Sequence, residues 1–441
     1  MSSISLSGHK LPLQGVRILD IAVVWAGPYA TQLLAEWGAE IIRIESIQHF
    51  QASTRGQVVR PTKEMASMRG GMGGFPNRDP GARPWNRGPS FNHHARNKRS
   101  MTVDLTKPEG QEVFDELVRK SDGLIENNVP VSMERVGVTW ERVSKVNPNF
   151  VMLRMPAFGL DGPYKNYRTF GSHMAANVGH YSVMGYRGED AAITGNTLVA
   201  DAAGGAGGAL AFASGLRYAR KNEKGIFIEI ASAENFATYL GDFMVDFTMN
   251  GTLPELEGNR HRVLAPQGTY PCSGEDRWLT ISVTSDDEWR VLCRVMDRDD
   301  LARDPRFASH DGRRENHDIL DGEITAWTAG QEAAAAMTLL QEAGVAAGVV
   351  MSEADAFADP HLVDRGFWEA LEHPEVEGGP RLHTGSLWKA ERTLRKHWRA
   401  APRLGEDNEY VYKELLGFSD EKYREFESDG HIGMDYGPKV G

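Results

Sequence analysis

The chain reads as an α/β protein: a parallel sheet wrapped by helices, joined to a second, smaller α+β domain. Three observations predict this. Short β-branched apolar runs alternate with helical patterns up to about residue 155. The stretch Arg17–Glu45, RILDIAVVWAGPYATQLLAEWGAEIIRIE, is by itself a strand–helix–strand unit. After a break at Gly251–Asn259 a fresh set of strand and helix patterns begins, and 441 residues suffice for two cores.

Arg17–Val24 is an apolar run of strand length. Trp25-Ala26-Gly27-Pro28 breaks it, and Pro28 suits a first helical position, where a missing N–H costs nothing. Ala30, Leu33, Leu34 and Trp37 recur at helical spacing, and Gly38 suits the cap. Glu40–Glu45 follows as a second strand, reached by a right-handed crossover. A ligand on such a unit sits beyond the strand's carboxyl end, here at Trp25–Pro28. The turn holds one glycine where a dinucleotide fingerprint needs three, so a nicotinamide or flavin cofactor is not expected.

Gln48–Ser90 is a long loop, the kind that is functional or disordered inside a compact domain, and Gly70-Gly71-Met72-Gly73-Gly74 within it reads as a hinge. Met101–Leu105 alternates as a strand. Thr106–Glu109 opens a helix running to about Lys120 through a capping-box pattern. Gly123–Glu126 and Phe150–Met155 read as strands, with one helix, Ser132–Val146, between them. Ser182–Leu198 is irregular. Asp201 then begins a helix of Gly and Ala residues ending near Arg220, suited to close packing on a sheet or another subunit. A strand at Ile226–Ile230 and a long helix at Ser232–Asn250 complete this part. The expected domains are 1–225 completed by 385–441, a linker helix over 226–258, a small α+β domain over 259–360 and a return linker over 361–384. The tail Asn408–Glu427 reads as an amphipathic helix pair.

Composition narrows the class. Net charge is −12, which disfavours nucleic acid or an anionic membrane as partner. No 18-residue apolar run or signal segment is evident, and two cysteines, Cys272 and Cys293, support neither a disulfide framework nor a thiolate metal site, so a reducing cytoplasm and no metal are expected. Charge is uneven, however. Residues 55–99 carry ten Lys/Arg against two acids, a local excess that suits an anionic ligand.

The motif V-x-A-G-P-Y-A-T-x-L-L-A-x-x-G-A-E-I-I-R-I-E resembles the opening of the class III (CaiB/BaiF-type) CoA-transferases and acyl-CoA racemases. Asn97-Lys98-Arg99-Ser100, Glu126-Asn127, Glu134-Arg135-Val136-Gly137, Asn147-Pro148, Gly258-Asn259-Arg260-His261 and Asp304-Pro305-Arg306-Phe307 resemble further motifs of that family in the same order. The resemblance implies a Rossmann-like large domain, a small domain and an interlocked dimer, a homodimer or a heteromer with a related subunit. It implies transfer of CoA from an acyl-CoA to a carboxylic acid, through an enzyme–acyl anhydride and an enzyme–CoA thioester. CoA and acyl-CoA enter as substrates. Such chemistry needs an ionised carboxylate in a cleft that excludes water.

For the nucleophile, the resemblance points to the turn Met184–Ala192, where Asp190 or Glu189 fills the slot. Asp201 matches an acid/base of the racemase branch, but its histidine partner is replaced by Phe170, so racemisation lacks its second base and Asp201 reads as a hydrogen-bonded residue at a helix start. CoA contacts carry over to Val24, Trp25 and Ala26, with Arg55, Lys98, Arg99, Asn127 and Arg135 beside them. The departures at Asn128 and around Pro156 alter how the nucleotide or acyl group is held. Trp25, Phe158, Tyr167 and Phe170 hint at a bulky or aromatic acid, and the flavour of Pro84–Arg87 is nearest the benzylsuccinate-type transferases. Some of those work as two different subunits. A catalytically silent companion subunit is therefore the alternative, with a racemase or isomerase behind it.

Overall fold

The structure is a computed structural model that describes residues 11–67, 74–190, 198–387, 389–391, 393 and 398–440. The glycine run proposed as a hinge lies mostly outside these residues. The chain divides into two compact units, one formed by 1–178, 196–245 and 364–441, the other by 179–195 and 246–363.

The first unit is built on six parallel strands: β1 (Arg17–Asp20), β2 (Glu40–Glu45), β3 (Lys98–Thr102), β4 (Gly123–Glu126), β5 (Val151–Arg154) and β6 (Ile226–Glu229). Their order is β3-β2-β1-β4-β5-β6, the doubly wound arrangement whose sense reverses between β1 and β4. Each face of the sheet carries a core. Leu19, Ile42, Met101, Phe114 and Leu124 join Tyr412 and Phe426 from the C-terminal segment on one face. Ile18, Ala30, Leu34, Leu153 and Phe212 form the other.

α1 (Ala26–Glu36) follows β1 directly. α2 (Gly171–Asn177) and α3 (Val199–Asn222) come later in the chain, and α3 lies flat on α1. The small residues of α3 explain that approach. A Cβ on Gly205 would stand 2.6 Å from Tyr29 Cδ1 and 2.9 Å from the Ala26 carbonyl, and one on Gly208 would stand 2.6 Å from Met155 Sδ. The helix also packs on β5 and β6, in keeping with the sheet contact its small residues suggested.

Some elements differ from the sequence reading. Ser132–Val146 is two helices, Pro130–Arg135 and Trp140–Val146, because Gly137 between them adopts a left-handed φ of 66°. Ser232–Asn250 is likewise broken, into Ser232–Ala237, a 3₁₀ turn and Gly241–Asn250. The third strand starts at Lys98, three residues before the expected Met101.

β3 is an edge strand, and its free backbone groups are covered by the C-terminal segment. Asp407 Oδ2 accepts from Ser100 N at 2.9 Å, Asn408 Oδ1 accepts from Thr102 N at 2.8 Å, and Tyr412 donates to Thr102 O at 2.8 Å. Side chains thus replace the neighbouring strand and deny the edge to other chains.

The second unit has a three-stranded antiparallel sheet, β7 (Gln267–Pro271), β8 (Trp278–Ser282) and β9 (Ala346–Val349), packed by helices on a core that includes Trp289, Leu292, Phe307, Leu320 and Leu340. In the first unit a hairpin, β10 (Trp368–Leu371) with β11 (Arg381–Thr384), brings His383 into the field of His93 and Arg96. Burial pushes His93 down to about 3 and His383 down to about 4, with Arg96 adding repulsion to both. Both are neutral in the folded protein at neutral pH, while the unfolded chain takes up their protons near pH 6.5. Stability is therefore expected to be flat above neutrality and to fall as pH drops from about 6.5 toward 4, by up to about 1.4 kcal/mol per pH unit for each histidine. Denaturant melts of wild type and a His93→Gln, His383→Gln double variant test this; the variant should lose part of the slope, the remainder coming from other depressed histidines such as His94.

Candidate active site

β1 ends at Asp20, and the chain must turn sharply to enter α1. Both ends of that turn are fixed on one buried carboxylate. Asp20 Oδ1 accepts from Ala22 N at 2.8 Å, and Oδ2 accepts from Thr31 Oγ1 on α1, also at 2.8 Å. Lys98 Nζ lies 3.0 Å from Asp20 Oδ2 and donates to the Pro28 carbonyl at 2.8 Å. Arg43 donates to the Ala22 carbonyl at 2.9 Å. At the apex Val24 has φ 61°, a conformation costly for a β-branched residue. It is held by Thr54 Oγ1, which accepts from Val24 N at 2.9 Å, and by Asn127, whose amide both accepts from Val23 N and donates to Val23 O. Val24, Trp25, Ala26 and Asn127 are thus brought together where the strand order reverses. The Trp25 ring, half-buried, lies 4.7 Å from that of His94.

Asp201 sits beside this turn. It lies in the first turn of α3 and is 8% exposed. The backbone N–H groups of Gly171 and Ala26 face its carboxylate. Gly171 is required there, since a Cβ would fall 2.2 Å from Asp201 Oδ2. Burial pushes the carboxyl up to about 6, and the two N–H groups pull against that rise. Among the described residues Asp201 has no cationic partner. Glu126, at the end of β4, is also buried and raised by burial, but Arg154 grips it at 2.6 Å and it accepts from Asn128 N at 2.6 Å. Of the two, Asp201 alone keeps a carboxylate uncommitted to an ion pair, in a desolvated setting.

The basic candidates separate. Arg55, 1% exposed, is committed to Glu45 at 2.6 and 2.7 Å and lies 3.8 Å over the Phe91 ring. Lys98 is fully buried against Asp20. With Arg43 these form one buried chain of five charges, Lys98–Asp20–Arg43–Glu45–Arg55. Burial opposes the charge on Glu45, but Arg55 and Arg43 hold it down to about 2. Arg55, expected at the substrate end, and Lys98, expected on CoA, are thus both buried and already paired within the protein. Arg99 is half-exposed, reaches back to Glu40 at the start of β2 and to Asp407, and stacks 3.9 Å from Tyr410. Arg135 is exposed and makes no ion pair among the described residues.

Asp190 and Glu189 are exposed and belong to the second unit. Their turn is formed by Gly185 and Gly188 at positive φ, with Glu189 N donating to Tyr186 O and Arg187 paired to Glu257. Tyr186 and Arg187 line a cavity of about 430 Å³ with Asn259, Arg260, Tyr270 and Asp321. Asp201 sits at a helix start facing backbone N–H groups, as its sequence context suggested; its burial was not legible there. The signal that could have marked it was a lone acid opening an apolar Gly/Ala helix, a place where burial is costly without a purpose. Among the described residues, no three His, Cys, Asp or Glu side chains converge as a metal would need, and no helix is long and apolar enough to cross a membrane.

Known proteins resemble the chain over nearly its whole length. The model for CoA-transferase family III matches residues 13–408. Succinyl-CoA–D-citramalate CoA-transferase of Chloroflexus aurantiacus is 29% identical over 410 residues, covering 93% of this chain and 95% of that one. The beta subunit of succinyl-CoA–L-malate CoA-transferase from the same species is 28% identical, covering 95% and 97%. A CaiB/BaiF family protein from Brucella suis superposes with a TM-score of 0.77 at 24% identity, over 92% of this chain and all of that one, a likeness of fold.

Proposed function

The chain belongs to CoA-transferase family III and is an enzyme of the CoA-transferase type, and we propose that it moves CoA between small dicarboxylic acids with Asp201 as its nucleophile. The observation that carries the choice of Asp201 is its position: desolvated, without a cation, and facing the N–H of the turn at Ala26. An Asp201 oxygen attacks the acyl-CoA carbonyl carbon, the C–S bond breaks, and CoA leaves as thiolate, giving a mixed anhydride. The thiolate then attacks the Asp201 carbonyl carbon and releases the donor acid, leaving an aspartyl-CoA thioester. The acceptor carboxylate repeats both steps in reverse and Asp201 is regenerated. Water must stay out, because it would hydrolyse either intermediate. The Gly171 and Ala26 N–H groups are placed to take part of the charge that develops on the Asp201 carboxyl oxygens.

The proposed acid class is supported by the relatives, whose names include citramalate, malate, oxalate and glutarate. An aromatic acid, the other class hinted at in the sequence, rests only on Trp25, Phe158 and the exposed rings of Tyr167 and Phe170. CoA is proposed to lie over Val24–Ala26, with exposed Arg135 the basic residue best placed to be free for a phosphate. Another subunit is expected to cover the segment from Tyr239 to Leu253, where Tyr239, Val245, Phe247, Met249 and Leu253 are all exposed.

The test is chemical. The purified chain is incubated with succinyl-CoA and hydroxylamine, and the labelled peptide is fragmented to locate the modified residue, since Glu189, Asp190 and Asp201 share one stretch without Lys or Arg. A hydroxamate on Asp201 itself, with CoA exchange into a dicarboxylate, is the expected outcome. A hydroxamate on Asp190 or Glu189 would reassign the nucleophile, and no label with no exchange would leave the silent-subunit reading.

A further inference from the structure

The buried Lys98–Asp20 pair holds the two ends of the first turn at a fixed separation. Between Ala22 and Pro28 the chain crosses a left-handed valine and delivers the Ala26 N–H to Asp201. Asp20 grips the near end through Ala22 N and the far end through Thr31. Lys98 touches the same carboxylate and the Pro28 carbonyl, so one ammonium ties the strand end to the helix start. Arg43 adds a second tie at the Ala22 carbonyl. All three charged side chains are 1% exposed or less, so water offers no substitute bond.

We propose that Lys98 is a positioning residue: through Asp20 and Pro28 it sets the place of the Ala26 N–H, and thereby the readiness of Asp201 to ionise. The inference rests on Asp201 being the nucleophile for its catalytic meaning, but the positioning itself does not. Losing the Lys98 ties loosens the Ala26 donor, and a carboxylate that loses a donor in a desolvated site becomes harder to ionise. The charged groups around Lys98 are Asp20, Arg43 and Glu45, with His94 also in its field. Those acting on Asp201 are the two backbone N–H groups and burial alone. A proton equilibrium at Asp201 therefore reports the turn rather than some nearby charge.

The full chain is used for the experiment. The infrared carboxyl band lost in D201N is titrated in wild type, in K98M and in the charge-neutral pair D20N/K98M, the last in case K98M alone does not fold. Expected is an upward shift of the Asp201 midpoint by about half a unit or more in each folded Lys98 variant, with the acid limb of the rate profile moving alongside. The inhibition constant of 3′,5′-ADP should weaken by well under tenfold, because Lys98 is wholly buried against Asp20 and has no ammonium to spare for a phosphate. An unmoved band in both variants overturns the inference. So does a tenfold weaker 3′,5′-ADP with an unmoved band, since that is the signature of a phosphate contact. If D201N retains full turnover while the band still shifts, the nucleophile assignment fails and the positioning role stands.

Discussion

Replacing Asp201 by asparagine is expected to lower CoA transfer by on the order of 10⁴-fold while leaving the protein folded. The amide oxygen of asparagine can still accept from the Gly171 and Ala26 N–H groups, so the local hydrogen bonds survive; what disappears is the charged oxygen that attacks the thioester. The companion variants D190N and E189Q should fall within about threefold of wild type, the usual range for exposed surface changes. The pH profile gives an independent check. Burial raises Asp201 to about 6, and only its ionised form is a nucleophile, so kcat/KM of the wild type should climb as pH rises through about 6 and level off above it. A dead D190N beside an active D201N would return the nucleophile to the Gly185–Asp190 turn. Steady-state kinetics on the three proteins, with melting curves to establish folding, decides it.

Arg55→Ala is the second large effect, and it concerns stability. Removing this guanidinium leaves Glu45 buried, with Arg43 at 3.2 Å and Ser100 as its remaining partners, and empties the space over Phe91. A loss of about 3–5 kcal/mol is expected, as for other broken buried ion pairs. The double variant E45L/R55M, which replaces both charges by apolar groups of similar bulk, should recover most of it. Had Arg55 been a surface contact for phosphate, R55A would melt like wild type and bind acyl-CoA weakly. Denaturant melts and acyl-CoA titrations on the same two variants separate the outcomes.

The first βαβ unit was legible in the sequence because its information is local: apolar spacing, one proline in the helix's first turn (its third residue, not the first as expected) and one glycine just past its end. The order of the six strands was not, since pairing β1 with β4 joins residues about a hundred positions apart. The same distance effect limits what a count of charges says about a site. A count of positive charge over residues 55–99 cannot distinguish a cation awaiting a ligand from one already paired. For Arg55 the partners are Glu45, Asn86 and Pro402, and for Lys98 they are Asp20 and Pro28. For Asp201 the sequence suggested a hydrogen-bonded place at a helix start, but not that its donors are the Ala26 and Gly171 N–H groups, which leave no trace in residue identity.

The sealing of β3 by Asp407, Asn408 and Tyr412 has a consequence for biogenesis. The sheet's outermost strand is translated early, yet the residues that finish it are among the last to leave the ribosome, some three hundred codons later. Throughout that interval the nascent chain presents an unsatisfied ladder to its surroundings, and a chaperone bound there would guard it. Truncated transcripts ending before Asp407 should accordingly yield aggregates rather than a shorter working enzyme.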